Sequence, residues 1–207
     1  MIVGLQITKN KDKFNKLLSL LNPNTFKDIS FIHISDHKSL IRNFKNLDVL
    51  VCYGINPDLF SYRSDRLKWI HIGAAGVEDS LFDEIINSKV VITNAKGINS
   101  KSVAEFVLSQ ILYFSKRFSE CLDFKNHRDW NQWKIAKKTT QLSESTLGII
   151  GYGQIGKEIT KLAKSFGMRV IATRRLQKIK ESKTTVDLLL PMSDIDIILK
   201  ESDYISL

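Results

Sequence analysis

Residues 151–156 read Gly-Tyr-Gly-Gln-Ile-Gly, a Gly-x-Gly-x-x-Gly turn placed directly after the apolar run 147–150. Each glycine has a mechanical reason to be there if the turn holds a pyrophosphate. Gly151 permits the tight turn, Gly153 lets the backbone approach the phosphates, and Gly156 lets the following helix pack on the strand. Tyr152, Gln154 and Ile155 complete the cradle. Ile155, Ile159, Leu162 and Ala163 then recur at helical spacing, so a helix N-terminus would present free N–H groups and a partial positive charge to the anion. Gly167 ends this helix and a second apolar run follows at 170–172. Strand, turn, helix and strand in this order predict dinucleotide binding. An ordinary glycine-rich turn in an α/β core would not need all three glycines.

The second strand ends in Thr173-Arg174-Arg175, with no carboxylate until Glu181. Binding of NAD usually places an acid here to hold the ribose hydroxyls. That acid would repel a 2′-phosphate, whereas a guanidinium grips one through paired charge-assisted bonds. The expectation is therefore a preference for NADP, with NAD possible. The plainer reading is two solvated arginines at a strand end. No catalytic or metal-binding residue is assigned. His71 has no identifiable carboxylate partner to fix its tautomer, His127 stands alone in a charged loop, and His33 and His37 fall in a strand-like setting that argues against a metal pair. Cys52 and Cys121 form neither a metal motif nor a disulfide framework.

The elements that position these residues follow from hydrophobic spacing. Apolar runs at 1–7, 29–35, 49–53, 69–72 and 90–93 alternate with helical spacings such as Phe14, Leu17, Leu18, Leu21 and Leu40, Ile41, Phe44. Continuous apolar strands alternating with amphipathic helices predict a parallel sheet covered on both faces. Gly54, Gly73, Gly76 and Gly97 fall at strand ends, where open α/β sheets bind ligands and where plain turns also need glycine. A long helix follows, capped by Ser100 or Ser102, with Val103, Phe106, Val107, Gln110, Ile111 and Phe114 as its expected buried stripe. Trp130 and Trp133 are expected to pin a connecting segment to the core. The one boundary falls near residue 100, giving domains 1–100 and 101–207.

The 207 residues are 43% hydrophobic and 26% charged, which excludes a disordered chain. The formal net charge is +9. The lysines are spread along the whole chain and no nucleic-acid module is visible, so no specific nucleic-acid partner is expected. No apolar run reaches spanning length and the N-terminus lacks a signal pattern, so the expected location is cytoplasmic, without a membrane partner.

Together these blocks resemble the D-isomer-specific 2-hydroxyacid dehydrogenases. Leu67-Lys68-Trp69-Ile70-His71 followed by Gly73-Ala74-Ala75-Gly76-Val77 resembles the family's substrate-carboxylate loop. Residues 91–94 with Gly97, Asn99 and 103–105 resemble the crossing into the nucleotide domain, and 146–156 with 166–168 the cofactor turn. The likeness covers nearly the whole chain and is weakest over the first sixty residues. It implies a flavodoxin-like parallel-sheet lobe, then the first part of a Rossmann dinucleotide-binding lobe, with the active site between them. It implies hydride transfer between a nicotinamide cofactor and a small 2-keto or 2-hydroxy acid, whose carboxylate would meet backbone N–H groups around Ala75, Gly76 and Val77. It also implies a homodimer, with the helix over 103–114 at the contact.

Departures matter as much. Arg174 stands where many members have Asp. The final segment, 202–207, resembles the third strand of the nucleotide lobe, and the family's catalytic Arg, Glu and His come later, so the 207 residues alone are expected to be inactive. In the order 3-2-1-4-5-6 the strand over 147–150 is then expected as an exposed apolar edge, poorly soluble or completed by a partner. Two other readings remain open: a non-catalytic nucleotide-binding or assembly module on the same scaffold, and an RNA-associated basic protein resting on net charge alone.

Overall fold

A computed structural model describes residues 1–175 and 185–207, which form two compact units, Met1–Ile98 and Asn99–Leu207. The first unit runs β1 (Ile2–Leu5), α1 (Lys11–Leu18), β2 (Ser30–His33), α2 (His37–Phe44), β3 (Val49–Cys52), α3 (Pro57–Phe60), β4 (Trp69–Ile72), α4 (Asp83–Ile86) and β5 (Val91–Asn94). The helices begin where a short polar side chain can satisfy an orphan N–H. Asn10, Asp36 and Asn56 accept from the amides of Lys13, Ser39 and Leu59. All strand pairs are parallel, in the order β2-β1-β3-β4-β5. Central β3 is buried nearly throughout, and the core gathers Leu50 and Ile70 with Leu40 and Phe44 of α2 and Phe60 of α3. This is the parallel α/β sheet that the sequence predicts.

The second unit runs α5 (Ser100–Ser115), α6 (Phe118–Asn126), α7 (Gln132–Ala136), β6 (Thr146–Ile150), α8 (Gln154–Ser165), β7 (Arg169–Arg174), β8 (Leu188–Pro191), α9 (Ile195–Glu201) and β9 (Tyr204–Ser206). Its parallel sheet has the order β8-β7-β6-β9. Alternation along the strands builds a core on each face. Val170, Ala172 and Leu189 pack with Ile159 and Ala163 of α8, while Ile171, Leu188 and Leu190 pack with Ile198 of α9. Gly148 in β6 lets α9 approach the sheet, since a Cβ there would meet Ser202 Oγ and lie 2.5 Å from Ile198 Cγ2.

Five expectations need correction. The segment over 188–191, not the last one, holds third place in the sheet, and β9 is the fourth strand, paired with β6 through Leu147↔Tyr204 and Gly148↔Ile205. The strand over 147–150 is therefore interior and not an exposed edge, which removes that reason for poor solubility. The buried stripe of α5 is Ser100, Ala104, Leu108, Ile111 and Ser115, whereas Val103, Phe106, Gln110 and Phe114 face outward. Small residues allow α5 to lie close on α8, and counting large apolar residues misses that face. Asn99 occupies the N-cap of α5 without a side-chain bond, so neither Ser100 nor Ser102 caps it. Trp130 and Trp133 are 84% and 69% exposed and pin nothing to the core.

The amino-terminal ends of both sheets share one device. Asp48 precedes β3, its carboxylate accepts from Ile2 N–H at 2.7 Å, and its own N–H donates to the Ile2 carbonyl. Asp203 precedes β9 and exchanges the same two bonds with Thr146, and Asp187 precedes β8 and does so with Val170. The Ile2 amide, helped by Arg66, holds the Asp48 carboxyl below its ordinary value of 3.8. Partial burial works against ionisation of Asp187, but the Lys164 ammonium and the Val170 amide outweigh it and hold this carboxyl low as well. A carboxyl depressed in the folded state contributes stability that is complete above the unfolded value and lost as pH falls through the folded one. Melting midpoints should therefore drop steeply below about pH 4, and Asp48→Asn with Asp187→Asn should flatten that part of the profile. A double variant as acid-sensitive as the parent would refute the assignment.

Candidate functional site

The glycine turn of the second unit is built from the strand outward. β6 ends in register with β7, Ile150 beside Thr173. The Thr173 carbonyl accepts from both Gly151 N–H (3.1 Å) and Tyr152 N–H (2.7 Å), which clamps the turn to the end of β7. Gly151 sits at φ +103°, a conformation that L side chains rarely adopt. A Cβ at Gly156 would lie 3.2 Å from both the Gly151 carbonyl and Ile149 Cγ2, so α8 crosses close over the strand. A Cβ at Gly153 would meet nothing within 4 Å. Gly153 is the N-cap of α8 and offers no side-chain bond, so among the described residues the N–H groups of Gln154, Ile155 and Gly156 remain open. A bare helix start beside an empty approach is what a pyrophosphate requires, and these residues fit a dinucleotide.

The other residues expected here separate into two groups. The Gln154 and Ile155 side chains are exposed at the first turn of α8, and Arg174 and Arg175 are exposed at the end of β7. Neither arginine has an ion pair among the described residues. By contrast, Tyr152 is buried in the core and its hydroxyl bonds Thr185, while the Thr173 side chain is fully buried with its hydroxyl unpartnered among the described residues. In the turn these two meet each other through their backbones, Tyr152 N–H donating to the Thr173 carbonyl. Glu181 lies outside the described residues.

In the first unit, the loop after β4 presents Ala75 and Gly76 exposed and Val77 half-buried. Three bonds hold the loop. Gly73 N–H donates to the Cys52 carbonyl, Ala95 N–H to the Ala74 carbonyl, and Asn94 Nδ2 to the Ala75 carbonyl at 2.7 Å. The Tyr53 ring lies over Gly73, where a Cβ would be 3.2 Å from it. The Ala75 and Gly76 amides are open among the described residues, but Val77 N–H donates to Glu78 Oε2 at 2.9 Å. Glu78 was invisible in the residue pattern, and its only signal is its place immediately after the loop. Beyond β1, β2 and β3 the loops 6–9 and 34–38, with Tyr53 and Gly54, line an open cleft of about 900 Å³.

Three of the four histidines have local partners. His71 Nδ1 and Trp69 Nε1 both bond Thr93 Oγ1, at 2.9 and 2.8 Å. His33 Nε2 bonds the Thr8 carbonyl and stacks on Phe14, and His127 bonds the Asp123 carbonyl. His33 lies on β2 and His37 on α2, and the described residues contain no group of three metal-binding side chains. Cys52 is a core residue whose thiol burial pushes up to about 11. Among the described residues no helix is long and apolar enough to cross a membrane.

Residues 108–207 match the family described as D-isomer specific 2-hydroxyacid dehydrogenase, NAD binding domain. The chain is 29% identical over 171 residues to hydroxypyruvate reductase of Thermotoga maritima, covering 81% of this chain and 53% of the relative. It is 27% identical over 172 residues to glyoxylate reductase of Thermococcus litoralis, covering 81% and 51%. It thus spans about half the length of these curated relatives. The fold superposes on a D-lactate dehydrogenase of Aquifex aeolicus, solved with NAD and lactic acid, at a TM-score of 0.73 and 24% identity, covering 100% of this chain and 60% of that one. Glycine turn, sheet order and likeness agree: residues 108–207 carry the NAD binding domain of the D-isomer-specific 2-hydroxyacid dehydrogenase family.

Proposed function

We propose that the chain supplies the substrate lobe (1–100) and the nucleotide lobe (101–207) of an oxidoreductase that moves a hydride between a nicotinamide cofactor and a small 2-keto or 2-hydroxy acid. The observation that carries this reading is the glycine turn, with three open N–H groups on α8 beside an unobstructed Gly153. Gly151–Gly156 would seat the pyrophosphate, and the amides of Ala75, Gly76 and Val77 would take the substrate carboxylate. The cofactor, when bound, supplies the hydride. No residue of the 207 is assigned the proton-transfer role.

NADP is the proposed partner. Arg174 and Arg175 follow the residue whose carbonyl clamps the turn, and both guanidinium groups are free of ion pairs among the described residues. Two cations without an ion pair among the described residues thus stand at the strand end where a 2′-phosphate would sit. A homodimer along α5 belongs to the same reading, supported by Phe106 and Phe114, each 63% exposed on its outward face. So does a place in the cytoplasm, where reduced nicotinamide cofactors turn over.

The test is a fluorescence titration of the chain with NADPH and with NADH. The reading predicts saturable binding of both, with NADPH tighter. NADH bound as tightly as NADPH would defeat the NADP assignment, and binding of neither would defeat the dinucleotide site. Binding of the cofactor with no binding of any 2-keto acid would favour a non-catalytic nucleotide module.

A further inference from the structure

The loop proposed to anchor the substrate carboxylate already holds a carboxylate, and it is the protein's own. Glu78 Oε2 accepts from Val77 N–H at 2.9 Å. The same oxygen lies 2.8 Å from the point where a Cβ on Gly76 would stand, so the carboxylate rests over the bare Gly76 backbone. An acid in a chain of net charge +9 usually finds a lysine or arginine. Glu78 has no cation partner among the described residues and takes an amide instead. The side chain is exposed, so nothing buries it in this position. The neighbouring amides of Ala75 and Gly76 stay open, in a loop whose outline is held from behind by Asn94.

Resting on the reading of Ala75–Val77 as the carboxylate anchor, we propose that Glu78 is a specificity-determining residue: an internal competitor that occupies the Val77 donor until a substrate carboxylate displaces it. Two consequences follow from its chemistry. A substrate must exchange one carboxylate–amide bond for another at Val77, so its net gain there is small and binding is weaker than the bare loop would allow. The displaced Glu78 stays tethered one residue from the anchor and keeps its negative charge. It therefore penalises any substrate that brings a second negative charge to this end of the molecule. The substrate class that this arrangement admits is a monoanionic 2-keto acid, with dianionic acids disfavoured.

The experiment uses the 207-residue chain with saturating NADPH and two unreactive probes, oxamate as the monoanion and oxalate as the dianion. Binding is followed by the amide resonance of Val77 and by calorimetry. Glu78→Ala frees the donor and removes the charge, while Glu78→Gln removes the charge but keeps an acceptor. The expected result is about tenfold tighter oxamate binding in Glu78→Ala, with a smaller gain in Glu78→Gln. Oxalate should gain more than oxamate in both variants. A merely structural Glu78 would weaken both probes or change neither, and would leave the oxalate-to-oxamate ratio where it was. Wild-type chain and both variants binding each probe alike would overturn the competitor role while leaving the carboxylate loop standing. Failure of every variant to bind either probe, with NADPH bound, would overturn the loop assignment and the inference with it.

Discussion

Gly153→Ala should lower NADPH affinity at least about 100-fold while costing the free chain less than about 1 kcal/mol of stability. The two effects separate because of where the new methyl group goes. Gly153 has φ −100°, which any L residue adopts, and its added Cβ would meet nothing within 4 Å. The free protein loses only a fraction of an N-cap preference. The same empty space is the approach by which a pyrophosphate would reach the open amides of Gln154, Ile155 and Gly156, and a methyl group there holds the phosphate away from them. The neighbouring glycines should behave differently. Gly151→Ala forces a side chain into φ +103° at a cost of roughly 1–2 kcal/mol, and Gly156→Ala pushes α8 off the Gly151 carbonyl and Ile149. Both should melt earlier. Melting curves and NADPH titrations on the three variants decide the matter, and a Gly153→Ala chain that binds NADPH normally would show that no phosphate lies over this residue.

Arg174→Asp should invert cofactor choice. A guanidinium contributes two charge-assisted bonds to a 2′-phosphate, about 1.5–3 kcal/mol each, so its loss alone predicts a fall in NADPH affinity of at least about 100-fold. The introduced carboxylate would repel that phosphate and accept from the ribose hydroxyls of NADH. NADH affinity should therefore hold or rise while NADPH affinity collapses. Arg174 is exposed at the last residue of β7 and has no ion pair among the described residues, so the substitution should leave folding intact. Arg175→Ala should produce the weaker form of the same change. Equal losses for both cofactors would mean that the arginine acts on the shared pyrophosphate and does not discriminate.

Much of the fold was legible because parallel strands covered on both faces are written as unbroken apolar runs, and β3, β6 and β7 are of this kind. The glycine turn was legible because each of its three glycines answers a separate steric demand. What failed to show has equally specific reasons. The inner face of α5 sets Ser100, Ala104 and Ser115 beside Leu108 and Ile111, and the small residues allow helices to approach but break the hydrophobic stripe. β8 is three leucines and a proline, too short to tell from a buried helical turn. Thr173 works through its carbonyl, which has no side-chain signature, and Glu78 belongs to no periodic pattern.

The reciprocal bonds of Asp48, Asp187 and Asp203 make each sheet directional. One end of the strand array is clasped, and the other ends in glycine-bearing loops where the amides of Ala75, Gly76 and Gln154–Gly156 are open among the described residues. Native-state hydrogen exchange should register this polarity. The amides of Ile2, Thr146 and Val170, each held by a carboxylate, should exchange only when the whole sheet opens. Those of Ala75, Gly76 and Gln154–Gly156 should exchange quickly until an anion covers them. Fraying would then start from the ligand-facing end and stop short of the clasps, so the loops can rearrange around an incoming anion without loosening the strands that carry them.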